Sequence, residues 1–191
     1  MPTIIEVFGV ITGFLCVWLA ARNSIWNFPV QIVSVLLYMV VFYEAKLYAD
    51  MGLQVYFLFM AIYGWYFWIN RTEQDTKIKP VRRITRPILM MGLLVVVAFT
   101  ILFGTFLERN TDAFYPYLDS LCAGGSLFGA FLLSRRILEN WLVWLVVDVI
   151  YLYLYLSKAL YLTTLLYIAY LVVAIIGYRA WKKNWENHYK K

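Results

Sequence analysis

Apolar residues occur in long runs along almost the whole chain, and short polar segments separate the runs. Seven runs have the length that a helix needs to cross the hydrocarbon core of a bilayer, which is about 20 residues. They lie at 5–21, 25–43, 51–69, 87–106, 114–134, 139–157 and 159–181. The pattern predicts an all-α membrane protein with seven transmembrane helices.

The composition favours lipid as the solvent for much of the chain. Hydrophobic residues make up 63% of the 191 residues and charged residues only 15%, whereas soluble domains average about 45–50% and about 25%. The first run has no Lys or Arg before it and leads directly into the second, so we do not interpret it as a cleavable signal peptide. Cys16 and Cys122 lie inside apolar runs, and we expect them to be small buried residues rather than a disulfide or metal pair.

The basic residues indicate an orientation. With seven spans, fourteen of the seventeen Lys and Arg residues fall on the side that holds the C-terminus, and three (Lys46, Arg109 and Lys158) fall on the other side. Cytoplasmic loops collect Lys and Arg, so we expect the N-terminus outside and the C-terminus in the cytoplasm. The basic residues thus orient the protein and contact anionic lipid headgroups, which explains the net charge of +6. No nucleic-acid partner is expected.

The chain contains an internal repeat at an offset of 113 residues. Residues 6–68 align with 119–181 without a gap, and fourteen positions are identical. The polar, glycine and tryptophan matches are the least expected by chance: Arg22/Arg135, Asn27/Asn140, Tyr38/Tyr151, Gly64/Gly177 and Trp68/Trp181. Because three spans invert the chain, the nearly aliphatic fourth span restores the orientation and joins two parallel three-helix repeats, a 3+1+3 arrangement.

The repeat divides the chain into four predicted segments. These are the first three-helix repeat (1–69), a basic cytoplasmic loop with linker helix four (70–113), the second three-helix repeat (114–183) and a basic cytoplasmic tail (184–191). The linker helix carries no polar group suited to binding a solute, so we expect binding chemistry in the repeats.

Span six carries the most unusual polar residue. An ionisable group inside a bilayer is costly and usually faces a cavity or a partner, and Asp148 lies at mid-span. Trp141, Trp144 and Asp148 are spaced i, i+3, i+7, so they share a helix face that Asn140 can flank. Two indoles and a carboxylate suit a flat polar or cationic ring. Alternatively, Trp141 is an interfacial anchor and Asp148 pairs with a neighbouring helix; we favour binding for Trp144 and Asp148 and leave both roles open for Trp141.

Spans two and three add further polar candidates. Gln31, Ser34 and Tyr38 repeat the i, i+3, i+7 spacing, and the offset of 113 places Gln31 at the position of Trp144. Gln54 on span three needs a partner, because an unpaired amide in hydrocarbon is costly. It either faces a solute or bonds a neighbouring helix. We find no metal-ligand cluster, phosphate-binding loop or nucleophile with a base in the sequence, so an enzyme is disfavoured and no cofactor is expected.

Two groups of motifs resemble the PnuC-type vitamin transporters over nearly the whole chain. The first group is Leu47-Tyr48-Ala49-Asp50, Leu53-Gln54, Tyr63-Gly64-Trp65 and Trp68; the second is Glu139-Asn140-Trp141, Trp144, Asp148, Leu160-Tyr161-Leu162-Thr163 and Gly177. The resemblance implies a 3+1+3 fold like that of SWEET proteins, assembled as a homotrimer in a bacterial inner membrane. It also implies that Trp141, Trp144 and Asp148 contact substrate, with Gln54 as a weaker candidate.

The same resemblance implies facilitated diffusion of an unphosphorylated vitamin precursor that a cytoplasmic kinase then traps. Nicotinamide riboside is the leading expectation for the substrate. Thiamine is the first alternative, because its cationic ring would suit the indoles and Asp148 equally well, and riboflavin or a nucleoside are others within the family. A non-transporting membrane receptor or scaffold subunit is the alternative from another class.

Overall fold

The computed structural model describes residues 4–44, 48–69, 80–111, 115–157 and 161–189. Seven α-helices contain most of these residues: α1 Ile4–Ala21, α2 Asn27–Glu44, α3 Tyr48–Ile69, α4 Arg86–Asn110, α5 Pro116–Ser134, α6 Asn140–Ser157 and α7 Tyr161–Tyr189. The predicted all-α class and helix count are confirmed. The seventh helix continues to Tyr189, so residues 184–189 of the predicted tail are helical, whereas residues 70–79 of the predicted loop and residues 190–191 lie outside the described part.

Three helical segments are long and apolar enough to cross a membrane, judged by length and composition. They are Met51–Ile69, Arg86–Asn110 and Pro116–Ser134. Shorter apolar helices cover Val7–Ala21, Asn27–Val40 and Asn140–Leu154.

The helices pack in two sequential triplets with an additional helix on one side. Helix α2 packs against α1 and α3, and α6 packs against α5 and α7. The first helix of each triplet also contacts the last helix of the other, since α1 contacts α7 and α5 contacts α3. Helix α4 packs mainly on α5 through Gly92, Val96 and Gly104. The 3+1+3 arrangement stays a prediction, and these reciprocal contacts support it.

The turns that follow α1 and α5 have the same hydrogen bonds at the repeat offset. Asn23 and Arg136 both have a left-handed backbone, with φ of 57° and 59°. The N–H of Ser24 donates to the carbonyl of Leu19 at 2.9 Å, and the N–H of Ile137 donates to that of Leu132 at 2.9 Å. Both turns are Schellman caps, in which a left-handed residue lets two amides satisfy the last helix carbonyls.

We define the basic end as the end of the bundle where these two turns lie, together with the ends of α3 and α7. Its core is a cluster of large aromatic rings contributed by both triplets. Trp68 and Trp181 meet edge to face with centroids 5.6 Å apart, and both are fully buried. Phe28 packs on Trp68 with centroids 4.9 Å apart, and Trp141 packs on Trp181 at 5.7 Å. The cluster therefore joins the first triplet to the second.

Two glycines let these rings approach the helix backbones. A Cβ placed on Gly64 would lie 2.5 Å from the ring of Phe28, and one on Gly177 would lie 2.6 Å from the ring of Trp141. Distances this short leave no space for a methyl group. The repeated glycine is thus explained by close ring-to-backbone packing, as small residues permit between membrane helices.

We predict that Gly177→Ala destabilises the protein by about 1–3 kcal/mol, because the added methyl overlaps the Trp141 ring and forces the core apart. Gly52→Ala is the matched control, since a Cβ on Gly52 meets nothing within 4 Å. That control should be neutral, or more stable by up to about 1 kcal/mol through helix propensity. Thermal unfolding of both purified variants in the same detergent measures the difference. Equal unfolding temperatures would contradict the packing argument.

Candidate functional site

The structure divides the predicted site residues between two levels of the bundle. Trp141 and Asn140 lie in the packed core of the basic end. Asp148 is seven residues further along α6, roughly 10 Å away at 1.5 Å per residue. Ser34 and Tyr38, on α2, are likewise separated from the basic end along their helix.

Trp141 is only 2% exposed, and its ring is enclosed by Gly177 and Trp181. Its equivalent in the first repeat is Phe28, which occupies the corresponding packing position against Gly64. In this conformation Trp141 is a core residue that joins α6 to α7. Its indole N–H has no hydrogen-bond partner among the described residues.

Asn140 begins α6 and is fully buried. Its side-chain amide donates to the carbonyl of Ile137 at 2.6 Å, and Asn27 at the start of α2 donates in the same way to Ser24, also at 2.6 Å. These two asparagines fix the turns that lead into the second helix of each triplet. The Asn140 side-chain oxygen has no partner in the described part of the chain.

Trp144 is half-buried and packs against α5 at Gly129. A Cβ on Gly129 would lie 3.1 Å from the Trp144 ring and 3.3 Å from its indole nitrogen. Glycine at this position lets the indole lie close against the α5 backbone.

A polar cluster lies between α1, α2, α6 and α7. Ser34 is buried, and its hydroxyl donates to the carbonyl of Gly9 at 3.2 Å. The Tyr38 ring lies 3.4 Å from the position that a Cβ on Gly9 would occupy. A Cβ placed on Gly13 would lie 3.3 Å from the Ser34 hydroxyl oxygen and 4.0 Å from the Tyr170 hydroxyl oxygen. Polar groups of α2 and α7 thus converge next to two glycines of α1.

Asp148 joins this cluster from α6. Its side chain is 5% exposed, and it lies within electrostatic reach of Cys122 on α5 and Tyr170 on α7. Tyr170 in turn lies within reach of Tyr38 and Cys16. The acid of the second triplet and the polar side chains of the first therefore occur in one region.

Tyr170 is the cluster residue that the sequence analysis did not select. It stacks near Phe14 of α1 with ring centroids 6.3 Å apart, and it contacts Tyr167 at 5.7 Å. Tyr167 also lies beside Tyr151 of α6 at 5.1 Å. The available signal was the i, i+3 spacing of Tyr167 and Tyr170, which places both rings on one face of α7.

Gln31 and Gln54 are half-buried on α2 and α3. A separate pocket of about 260 Å³ lies between α3, α4 and α5, lined by Tyr56, Ile88, Met91, Gly92, Val95, Val96, Phe99, Gly124, Leu127, Phe128 and Phe131. The Tyr56 hydroxyl donates to the carbonyl of Leu127 at 3.0 Å, so this pocket is almost wholly apolar. None of the predicted site residues lines it.

The charges of the bundle are separated by position. The sequence places no Lys or Arg within α1, α2, α3, α5 or α6. Arg136 lies outside the helices at the basic end, where burial lowers its pKa to about 10, so it is still a cation at neutral pH. Its guanidinium donates to the Asn23 side-chain oxygen at 3.0 Å and lies 4.6 Å from the Trp68 ring centroid. The polar cluster thus contains an acid, and Arg136 supplies a cation at the basic end instead.

Comparison with known proteins connects this architecture to membrane transport. Residues 3–183 match the family model described as nicotinamide mononucleotide transporter. The chain is 30% identical to the nicotinamide riboside transporter PnuC of Escherichia coli, covering 93% of this chain and 84% of that protein. It is 29% identical to the riboflavin/roseoflavin transporter RibM of Streptomyces davaonensis, covering 92% and 83%.

A solved structure gives the same result for the fold. The crystal structure of the vitamin B3 transporter PnuC matches with a TM-score of 0.72 at 25% identity, covering 95% of this chain and 81% of that chain. The seven-helix fold and the nearly full-length sequence match agree. The chain therefore belongs to the nicotinamide mononucleotide transporter family, a family of membrane transporters rather than enzymes.

Proposed function

We propose that this protein carries nicotinamide riboside across a membrane by way of the polar cluster between its two triplets. The relatives named as nicotinamide riboside transporters support this substrate. The single structural observation that supports it most is the convergence of Asp148 and Tyr170 with Ser34 and Tyr38. A solute with a flat ring and several hydroxyl groups needs such acceptors and donors next to aromatic surfaces.

The charge distribution favours the riboside over its phosphorylated form. A phosphate is bound by Arg, Lys or converging backbone amides, and the five helices without Lys or Arg offer no cation beside Asp148. The carboxylate would also repel a phosphate in a region of low dielectric constant. Although the family description names the mononucleotide, we therefore infer an unphosphorylated substrate.

Within the proposed site, Trp144, Asp148 and Tyr170 are the residues that we expect to contact substrate. Ser34 and Tyr38 lie in the same cluster, and Gln31 and Gln54 stay candidates because both are half-buried on neighbouring helices. Asn140 and Trp141 instead hold the start of α6 in the core of the basic end. We propose that they position α6, and with it Trp144 and Asp148.

Several further features belong to the same proposal. The chain would work by facilitated diffusion as a SWEET-like homotrimer, and a cytoplasmic kinase would trap the transported vitamin precursor. It would lie in a bacterial inner membrane with the N-terminus outside and the basic end in the cytoplasm, as the distribution of Lys and Arg indicates. The proposed segments are 1–69, 70–113, 114–183 and 184–191.

The substrate can be tested with the purified protein. Nicotinamide riboside should raise its thermal unfolding temperature, because a ligand that binds only the folded form stabilises it by mass action. It should also enter protein-containing liposomes saturably, and nicotinamide mononucleotide should neither stabilise the protein nor compete. Riboflavin is the second candidate, given the 29% identity to RibM, and thiamine is the third. If riboflavin or thiamine stabilises the protein and enters the liposomes, and nicotinamide riboside does neither, the substrate assignment is overturned.

We predict that Asp148→Asn lowers nicotinamide riboside uptake about ten- to a hundredfold, the effect of losing a hydrogen bond to a charged group. The unfolding temperature should not fall, because an amide in this buried position avoids the cost of burying a charge. Glu108→Gln removes an exposed acid on α4 and should transport normally. Normal uptake by Asp148→Asn would exclude that carboxylate from the site.

We predict a smaller loss for Tyr170→Phe, which removes one hydroxyl and keeps the ring. The affinity for nicotinamide riboside should fall about three- to tenfold, as expected for one neutral hydrogen bond. Tyr153→Phe is the matched control, because Tyr153 is 57% exposed on α6. Titration of both variants by thermal shift gives the comparison, and equal affinities would show that Tyr170 only packs. Ligand binding without any flux in the parent protein would instead indicate the receptor alternative.

A further inference from the structure

A short extended segment lies across the basic end of the bundle. We call residues 80–85 the strap; they directly precede α4. The N–H of Arg82 donates to the carbonyl of Arg136 at 3.0 Å, and the N–H of Leu138 donates to the carbonyl of Arg82 at 2.9 Å. These two bonds form a parallel bridge between Arg82 and Ile137. The strap is thereby attached to the turn between α5 and α6.

Glu139 provides a second attachment. One of its carboxylate oxygens accepts the N–H of Ile84 at 2.8 Å, and the other pairs with the Arg83 guanidinium. That guanidinium also lies over the ring of Trp185 on α7, 5.4 Å from its centroid. One acid therefore holds the strap by main chain and side chain, next to the end of α7.

Val81 attaches the strap to the interior. Its side chain is fully buried and belongs to the same hydrophobic cluster as Trp68 and Trp181. Val81 thus covers the point where the two triplets meet. Since the cluster contains residues of α1, α2, α3, α6 and α7, the strap covers both halves.

The core beneath the strap contains several buried polar atoms without partners. In the described part of the chain these are the indole nitrogens of Trp68 and Trp141, the Asn140 side-chain oxygen, and two guanidinium nitrogens of Arg136. Buried polar groups without partners weaken a closed interface, because water would satisfy each of them. Opening of the basic end would hydrate them, which offsets part of the cost of separating the rings. The strap adds a main-chain bridge, an ion pair and a buried valine side chain to the closed state.

We propose that the strap is a gate at the basic end, with Glu139 as its positioning residue, and that the strap must lift before solute leaves on that side. This inference rests on the proposed transport function. An inert connection to α4 would also contact the bundle, but it would not control access to the core behind it. Access to the core is therefore the property to measure.

The test uses a cysteine probe behind the strap and one on it. Cys16→Ser and Cys122→Ala remove the native thiols, and Ala61→Cys or Val81→Cys adds one probe; both probe positions are fully buried. Labelling by N-ethylmaleimide in liposomes reports the population in which the probe is exposed. The strap is then weakened by Glu139→Ala or by Arg83→Gln. Arg179→Gln, at an exposed arginine of the same end, is the matched control.

We expect both probes to label about tenfold faster in Glu139→Ala and several-fold faster in Arg83→Gln, with no change in Arg179→Gln. If Glu139→Ala fails to fold, as judged by gel filtration, the Arg83→Gln result decides. Unchanged labelling at both positions, or faster labelling at Val81→Cys alone, would overturn the gate, because the strap would then not control the core. Labelling requires no substrate, so a wrong transport assignment and a wrong gate give different results.

Discussion

The contact between Trp68 and Trp181 at the basic end is the interaction on which the arrangement of the two triplets depends. Lipid removes the usual hydrophobic force between helices, so their association relies on close packing, hydrogen bonds and small residues. Here Gly64 and Gly177 let large rings lie against helix backbones. The indole N–H of Trp181 also donates to the carbonyl of Ala20 at 2.8 Å, which connects α7 to α1. The triplets are thus joined firmly at the basic end.

The position of the polar cluster follows from that junction. Asp148 and Tyr170 lie about seven and eleven residues from the aromatic core along their helices, which corresponds to roughly 10 and 16 Å. At that level polar groups of α2 and α7 lie next to Gly9 and Gly13 of α1, and Asp148 of α6 lies within electrostatic reach of Tyr170. The proposed binding region therefore lies beyond the packed aromatic core along the same helices.

The repeat explains why much of this architecture could be predicted from the sequence. The Asn, Gly and Trp matches at one offset fall in the equivalent turns and in the core, because the same local packing needs the same residues. The periodicity of α6 was less informative: Trp141 and Asp148 share a face, but an i, i+7 spacing separates them along the axis by about 10 Å. Tyr170 was missed because its significance comes from α1 and α6, which the periodicity of α7 does not reveal. Val81 was missed because the apolar residues of this basic loop, Ile78, Val81 and Ile84, are too few to predict a core contact.

The two repeats are alike in their framework and differ in their binding chemistry. Identical pairs such as Asn27/Asn140 and Trp68/Trp181 lie at the basic end, where they form turns and core. The proposed contact residues have dissimilar equivalents at the repeat offset: Trp144 aligns with Gln31, Asp148 with Val35 and Tyr170 with Phe57. A repeated framework therefore surrounds a proposed site that is asymmetric, with Asp148 in the second triplet. Such a site suits the proposed substrate, in which a flat ring is joined to a sugar.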